Sequence, residues 1–513
     1  MIQPEYIFEI SWEVCNRVGG IYAVLSTKAA TMQAEHPDKV IFFGPDLGKQ
    51  SDRFFKADHR LLSGKLSNKI KGISYRVGRW QIPGQPLAVL VKWDHLLTRR
   101  DDLYAWAWER YHVQSHAAYG DYHECCLFSY AAAEVMQQLF VALNKPLTVM
   151  QSHEWQTAFA LLYIRQYCPQ IATIFTTHAT SIGRSIASNG KPLYDYFTGY
   201  NGDGMAQELN MVSKHSLEKQ AAHAAHCFTT VSDITARECG QLLERLPNVV
   251  TPNGFEQQFV PQGAMLTAAR RLARKTLLRW AEKQTGNTYD KDTLLVAISG
   301  RLEWKNKGID VFLDAMNYLA EHRQNKKQAV VAFVMIPYLQ EPIRRMGDVT
   351  VLYMPWYLPT WDADSVLNGH TYFSLLPGID ITAFPSYYEP WGYTPLESIA
   401  FHVPTITTSL AGFGVWARAH QTDTETMKPV TVIERTDSNY HEVVRQVAEN
   451  IDCYSQLKPA QQTALRKQAL ALARQAEWSH FFYAYKRAYT FALNQVQEQP
   501  FYSPTIPNLF SNI

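Results

Sequence analysis

Short apolar runs recur along the whole chain, separated by longer stretches whose apolar positions keep helical spacing. In the first half the strand-like runs are 6–10, 39–43, 88–91, 147–151, 172–176, 227–231 and 249–250. Helical patterns over 127–143 and 155–167 lie between some of them. In the second half the strands read as 294–299, 330–335, 349–353, 379–384 and 404–407, with helices over 309–321 and 393–401. This alternation predicts an α/β chain built on parallel sheets covered by helices on both faces.

The pattern restarts near residue 290, after a Lys/Arg-rich helical stretch at 268–283. TPNGF at 251–255, followed by VPQG, reads as a hinge. Two Rossmann-like domains follow as the expectation, 1–258 and 259–477, with ligands bound in the cleft between them beyond the strand ends. The amphipathic stretch 478–494 opens a final segment, 478–513, expected to return to the first domain. No repeat at solenoid spacing and no low-complexity tract is visible.

Composition narrows the class. At 513 residues and 46% hydrophobic the chain is too long for one ordinary core. With 49 Lys and Arg against 47 Asp and Glu, nothing suggests nucleic acid or an anionic membrane as partner. Seven scattered cysteines, without a CxxC pair or metal-ligand spacing, read as reduced thiols, and no metal site is expected. MIQPEYIFEISWEV lacks the basic and apolar regions of a signal peptide, and no run looks like a span of about 20 apolar residues. A cytoplasmic protein is the expectation. Aromatics at 13% suit a core and also suit surfaces that stack on sugars.

Five stretches carry candidate chemistry. In SYYEPWGYTPLE, 386–397, a buried strand leads through a turn into a helix. Thr394 suits the N-cap, Pro395 the first helical position and Glu397 the third, a capping box that explains Glu397 without any ligand. It does not explain Glu389. A helix start at a strand's carboxyl end also offers free N–H groups to an anion, so a nucleotide diphosphate is the second reading, with a carboxylate for a ribose diol. SGRLEWKNKGID, 299–310, places Arg301, Lys305 and Lys307 after another apolar strand. Such a run is ordinarily a solvated loop, but at this position it would stabilise a leaving diphosphate.

VCNRVGGIYAV, 14–24, sets Gly19 and Gly20 before a helix starting near Ile21, either a tight turn or a close approach to phosphate. FTTHATSIGRS, 175–185, places His178 and Arg184 just after a strand, and QSHEWQTA, 151–158, does the same with His153, Glu154 and Trp155. The last group suits a sugar ring, with His153 and Glu154 as candidates for an acceptor, and a helix start accounts for it nearly as well.

Together with FTTVSDITA, TPNGF and SYYEPWGYTPLESIAFHVPTITTSLAGFG, these blocks resemble the glycogen synthases of the animal and fungal type, glycosyltransferase family 3, over about residues 5–416. The resemblance implies the GT-B architecture and transfer of glucose from UDP-glucose to the non-reducing 4-hydroxyl of an α-1,4-glucan such as glycogen, with retention and no cofactor. It makes 1–258 the acceptor-side domain and 259–477 the nucleotide-sugar domain. It implies that Arg301 and Lys307 assist departure of the diphosphate, that Glu389 is the essential carboxylate by the anomeric carbon, and that His178 and Arg184 face the sugar. It places Glu397 on the ribose, Tyr393 by the uracil, and the Thr394 amides and Gly20 on the phosphates. Arg17 stands where relatives carry lysine; a guanidinium can serve the same diphosphate.

Three departures qualify these expectations. Only 337–348 follows the strand 330–335, where animal and fungal members carry a long helical insertion used in assembly, so a homo-oligomer remains open. A chain without the phosphorylated tails is a further expectation, with Arg466, Lys467 and Arg474 in place of a dense arginine cluster that senses glucose 6-phosphate. The expectation is a compact, bacterial version active without the sugar phosphate. An ADP-glucose donor and a non-catalytic glucan-binding protein are the alternatives; a phosphorylase lacks support because no pyridoxal phosphate motif is present.

Overall fold

The computed structural model describes residues 1–498 except 63–64, 66–71, 325, 327, 356–368 and 423–426. The predicted tail beyond 498 therefore lies outside the described residues. Two compact units result: 1–185, 197–254 and the C-terminal segment from Trp478 form the first, and 186–196 with 255–477 the second.

The first unit holds β1 (Tyr6–Ile10), β2 (Val40–Pro45), β3 (Phe55–Ala57), β4 (Tyr75–Trp80), β5 (Leu87–Val91), β6 (Thr148–His153), β7 (Ala172–Thr177), β8 (Cys227–Thr230) and β9 (Val249–Val250). They form one sheet in the order β3-β4-β5-β2-β1-β6-β7-β8-β9. Every residue of β2, β6 and β7 is buried, as expected of strands covered on both faces. The sheet is not wholly parallel: β4 runs antiparallel to both β3 and β5. YRVGRW of β4 mixes arginine and glycine with apolar residues, which hides it from an apolar-run reading.

Helix Trp478–Glu498 packs on β7, β8, β9 and helix Gly20–Glu35 of this unit. Trp478 is fully buried, and its Nε1 donates to Thr27 Oγ1 at 2.8 Å. Helix Tyr122–Ala142 is long and apolar enough by length and composition to cross a membrane, contrary to the reading that no stretch approaches one. Its apolarity has a local cause, since 67% of the relevant window is buried in the first unit's core.

The second unit adds β10 (Leu294–Ser299), β11 (Val330–Met335), β12 (Arg344–Met346), β13 (Val349–Tyr353), β14 (Ile381–Ala383), β15 (Thr405–Thr408) and β16 (Val430–Ile433). Their order is β12-β13-β11-β10-β14-β15-β16, parallel except for the edge hairpin β12–β13 that turns at Gly347. That hairpin occupies the short segment after β11. Residues 186–196 belong here: the Leu193 amide donates to Tyr387 Oη at 3.0 Å and the Tyr194 amide to Asp437 Oδ2 at 2.9 Å. Arg466 is also structural, since its Nη2 bonds Asp380 Oδ1 at 3.0 Å and Tyr454 Oη at 2.7 Å inside the unit.

Candidate functional site

Each sheet has a central switch strand, and several of the candidates follow that strand or one beside it. In the first unit β2 and β6 lie on opposite sides of β1; in the second β11 and β14 flank β10. Loops diverge at the carboxyl ends of such strands and leave a crevice between them.

In the first unit the half-buried His178 follows β7, and a line of buried polar groups stands behind it. Its Nε2 lies 3.0 Å from His153 Nδ1, and His153 Nε2 lies 3.2 Å from Glu9 Oε2. Glu9 Oε1 pairs with Lys28 Nζ at 2.7 Å, both side chains being fully buried. The Tyr485 ring of helix Trp478–Glu498 caps Lys28, with Nζ 4.4 Å from the ring centre. Burial would raise the Glu9 carboxyl, but Lys28 and His153 outweigh it and hold it below the carboxylate range. Burial lowers His153, against the pull of Glu9, and burial with His153 and Lys28 carries His178 well below the usual imidazole value.

The backbone around His178 is held by carboxylates. Glu154 Oε1 accepts from the amides of His178 at 2.8 Å and Ala179 at 3.2 Å. Glu154 itself has φ 66 and ψ 168, a conformation that side chains rarely adopt and that surrounding structure must enforce. Glu218 accepts from the Ser181 amide at 2.8 Å, the Ser181 hydroxyl at 2.6 Å and Thr177 Oγ1 at 3.2 Å, while Glu238 accepts from Thr180 Oγ1. Burial raises Glu154 and Glu218 above the carboxylate range, and Glu154 adds to the rise at Glu218.

Helix Gly20–Glu35 begins at Gly20, one residue before the expected start, with Gly19 as N-cap. Glu13 Oε2 already accepts from the amides of Gly19 and Tyr22, each at 2.8 Å. An anion at this helix start would therefore meet a carboxylate that has taken two of its donors. The amides of Gly20 and Ile21 are the other two in that turn, and among the described residues nothing beyond its chain neighbours and its own helix lies within 4 Å of where a Gly20 side chain would begin. Arg17 lies over the Tyr22 ring, 5.5 Å from its centre. Arg184 sits in helix Ser181–Ser188 and draws the Glu154 carboxyl downward.

In the second unit two loops meet. The loop after β10 carries Arg301, 55% exposed and paired with Glu303 at 2.8 Å, then Lys307, then Gly308. The loop after β14 carries Glu389, and Lys307 Nζ contacts Glu389 Oε2, with both side chains mostly buried. The two are fastened nearby, because Asn306 O accepts the amides of Tyr387 at 2.9 Å and Tyr388 at 3.2 Å. Lys305 lies over the Tyr387 ring, 4.1 Å from its centre. Gly308 has φ 68, and a side chain there would begin 2.0 Å from Pro385 O, so only glycine allows this approach.

The expected capping box is not formed. Helix Tyr393–Ala400 starts two residues early, with Gly392 at φ 109 as N-cap and no side-chain cap bond. The Glu389 side chain and Pro395 crowd Gly392, 3.2 and 3.3 Å from where a side chain would start, which favours the glycine turn over a threonine cap. Thr394 is thus the second helical residue, and Glu397 lies deeper in the helix, 7% exposed and near Tyr372. Gly392, the N-cap residue, itself supplies no side-chain bond to the amides of the first turn.

Sequence reasoning missed Glu9, Lys28, Glu13, Glu218, Glu238 and Asn306. A signal existed for two of them. Glu9 interrupts the apolar strand YIFEI, and Lys28 sits among apolar neighbours in AVLSTKAATM; a charge in each of two buried elements asks for a partner.

A family model described as glycogen synthase matches residues 9–346 and 343–505, the two stretches meeting at the β12–β13 hairpin. A glycogen [starch] synthase of Dictyostelium discoideum is 27% identical over 95% of this chain and 66% of its own length, so the chain spans about two thirds of that relative. The human liver glycogen [starch] synthase is 25% identical over 98% of this chain and 85% of its own. Among solved structures, the catalytic domain of starch synthase IV from Arabidopsis thaliana bound to ADP and acarbose superposes with TM-score 0.61 at 14% identity, covering 95% of this chain and 99% of that one. Sucrose-phosphate synthase from Thermosynechococcus elongatus superposes at 0.53 and 14% identity over 97% and 98%. These likenesses show the GT-B fold of two Rossmann-like units.

Proposed function

The chain belongs to the glycogen synthase family, and from that premise we propose that it moves glucose from UDP-glucose to the non-reducing 4-hydroxyl of an α-1,4-glucan with retention of configuration. The observation that carries this reading is the Lys307–Glu389 pair, set at the carboxyl ends of adjacent strands where the second sheet reverses order. A cation and a carboxylate in contact there suit a reaction in which negative charge grows on a departing phosphate while positive charge grows on a sugar ring.

In the proposed step the bond from C1 to the phosphate oxygen breaks and the acceptor 4-oxygen bonds C1 on the same face. The hydroxyl proton passes to the departing phosphate oxygen. Lys307 and Arg301 stabilise that phosphate, and Glu389 balances the developing oxocarbenium charge. Amides at the start of helix Tyr393–Ala400, including that of Thr394, hold the diphosphate. Glu397 holds the ribose, Tyr393 lies by the base, and His178 and Arg184 serve the sugar. His153 and Glu154, expected at the acceptor, stand behind His178 in this reading: His153 Nδ1 contacts His178 and its Nε2 contacts Glu9, while Glu154 Oε1 accepts from the His178 amide.

Replacement of Glu389 tests the reading. Glu389→Ala should lose at least 100-fold in transfer, roughly what one removed charge-stabilising group costs, while UDP still binds by calorimetry. Near-normal turnover in that variant would refute the assignment.

A further inference from the structure

We infer that Glu9, Lys28 and His153 form a buried relay that fixes the tautomer of His178, making its Nδ1 a hydrogen-bond acceptor for a hydroxyl of the bound sugar. Valence fixes the proton positions. An ionised carboxylate only accepts, so the contact between Glu9 Oε2 and His153 Nε2 at 3.2 Å requires the proton on Nε2. A neutral His153 then presents a bare Nδ1, and the 3.0 Å contact requires His178 to donate from Nε2. His178 Nδ1 is left bare. Adding a proton to His153 would reverse the polarity: His153 Nδ1 would donate, His178 Nε2 would accept, and His178 Nδ1 would become a donor.

Lys28 keeps the relay in the accepting sense. It neutralises Glu9 at 2.7 Å, and its positive charge opposes a second cation on His153. Both side chains are fully buried, and Tyr485 closes the far side over Lys28. Such a pair is expensive to bury, and replacement by neutral groups of similar volume is often neutral or stabilising. Stability alone is therefore a weak reason for its presence. Glu154 complements the relay by holding the His178 amide, so ring and backbone are positioned independently.

The inference rests on His178 serving the reaction, and the tests separate the two. In ¹⁵N-histidine-labelled wild-type protein, with His178 assigned by its loss in His178→Ala, the proton should reside on Nε2. A proton on Nδ1 overturns the relay. The double variant Glu9→Leu with Lys28→Met removes both buried charges and the acceptor facing His153 together. It should remain folded, lose at least tenfold in kcat and change the donor KM less than threefold, since the relay orients His178 without touching substrate. A folded double variant with wild-type kcat overturns the relay even if His178→Ala is inactive. Wild-type activity in His178→Ala overturns the role of His178 and the relay with it. Should the double variant not fold, the tautomer measurement decides alone.

Discussion

Lys307 Nζ contacts Glu389 Oε2, joining the loop after β10 to the loop after β14 across two adjacent strands. On the proposed reaction each group acts on an opposite charge of one transition state. Lys307→Met should lower kcat about 10²–10³-fold, the usual cost of one charge-stabilising donor. Adding Glu389→Gln should cost much less than the product of the two single losses, because groups that act as a unit are not additive. Steady-state kinetics of the two single variants and the double variant check this; multiplicative losses would mean that the pair does not act together.

Gly308 is demanded by space. Its positive φ and the 2.0 Å approach to Pro385 O leave no room for a methyl group. Gly308→Ala should destabilise the second unit by roughly 1–3 kcal/mol, the range for enforced backbone strain, and lower activity by shifting Lys307. Thermal melting with and without UDP provides the measurement, and an unchanged melting curve would contradict the packing described.

Glu218 makes stability depend on pH in a stated direction. Burial, reinforced by Glu154, raises its pKa from the ordinary value of 4.5 to about 8, while Ser181 and His215 oppose the rise. Between these values the folded chain keeps a proton that the unfolded chain has lost, so stability falls as pH rises through that window. Glu218→Gln should flatten the fall, giving a smaller drop in melting temperature from pH 6 to 9 than the wild type by a few degrees. An identical pH profile would contradict the raised pKa.

Glu397 is the fifth residue of the helix, beyond its first turn. Glu397→Ala should therefore act on the donor, raising its KM about tenfold or more, as expected for a lost hydrogen bond to a charged group, with a smaller effect on kcat. Donor titrations would show it; a pure kcat effect would remove Glu397 from the ribose.

Most strands were legible because parallel sheets bury both faces and so write uninterrupted apolar runs, as in VVAFVM of β11 and ATIFTT of β7. Others were not: β4 mixes arginine with apolar residues, and the edge strand β16 is only half buried. The helix start after Glu389 was misread because Thr-Pro-Leu-Glu satisfies the local capping rule, while the glycine turn is set by crowding from Glu389 and Pro395. Glu389 and Lys307 could be named as separate candidates, but their contact spans 82 positions and is created by strand adjacency. The relay behind His178 draws on Glu9, Lys28 and His153, up to 144 positions apart, and no local pattern joins them.

The central claim is glucosyl transfer from UDP-glucose to glycogen. Incorporation of labelled glucose into glycogen, measured in parallel from UDP-glucose and ADP-glucose without glucose 6-phosphate, tests it most directly. Strong incorporation from UDP-glucose is expected, at least tenfold above that from ADP-glucose, with loss of both in Glu389→Ala. Preference for ADP-glucose would contradict the donor assignment at Tyr393, and no incorporation from either donor would contradict the proposed activity itself.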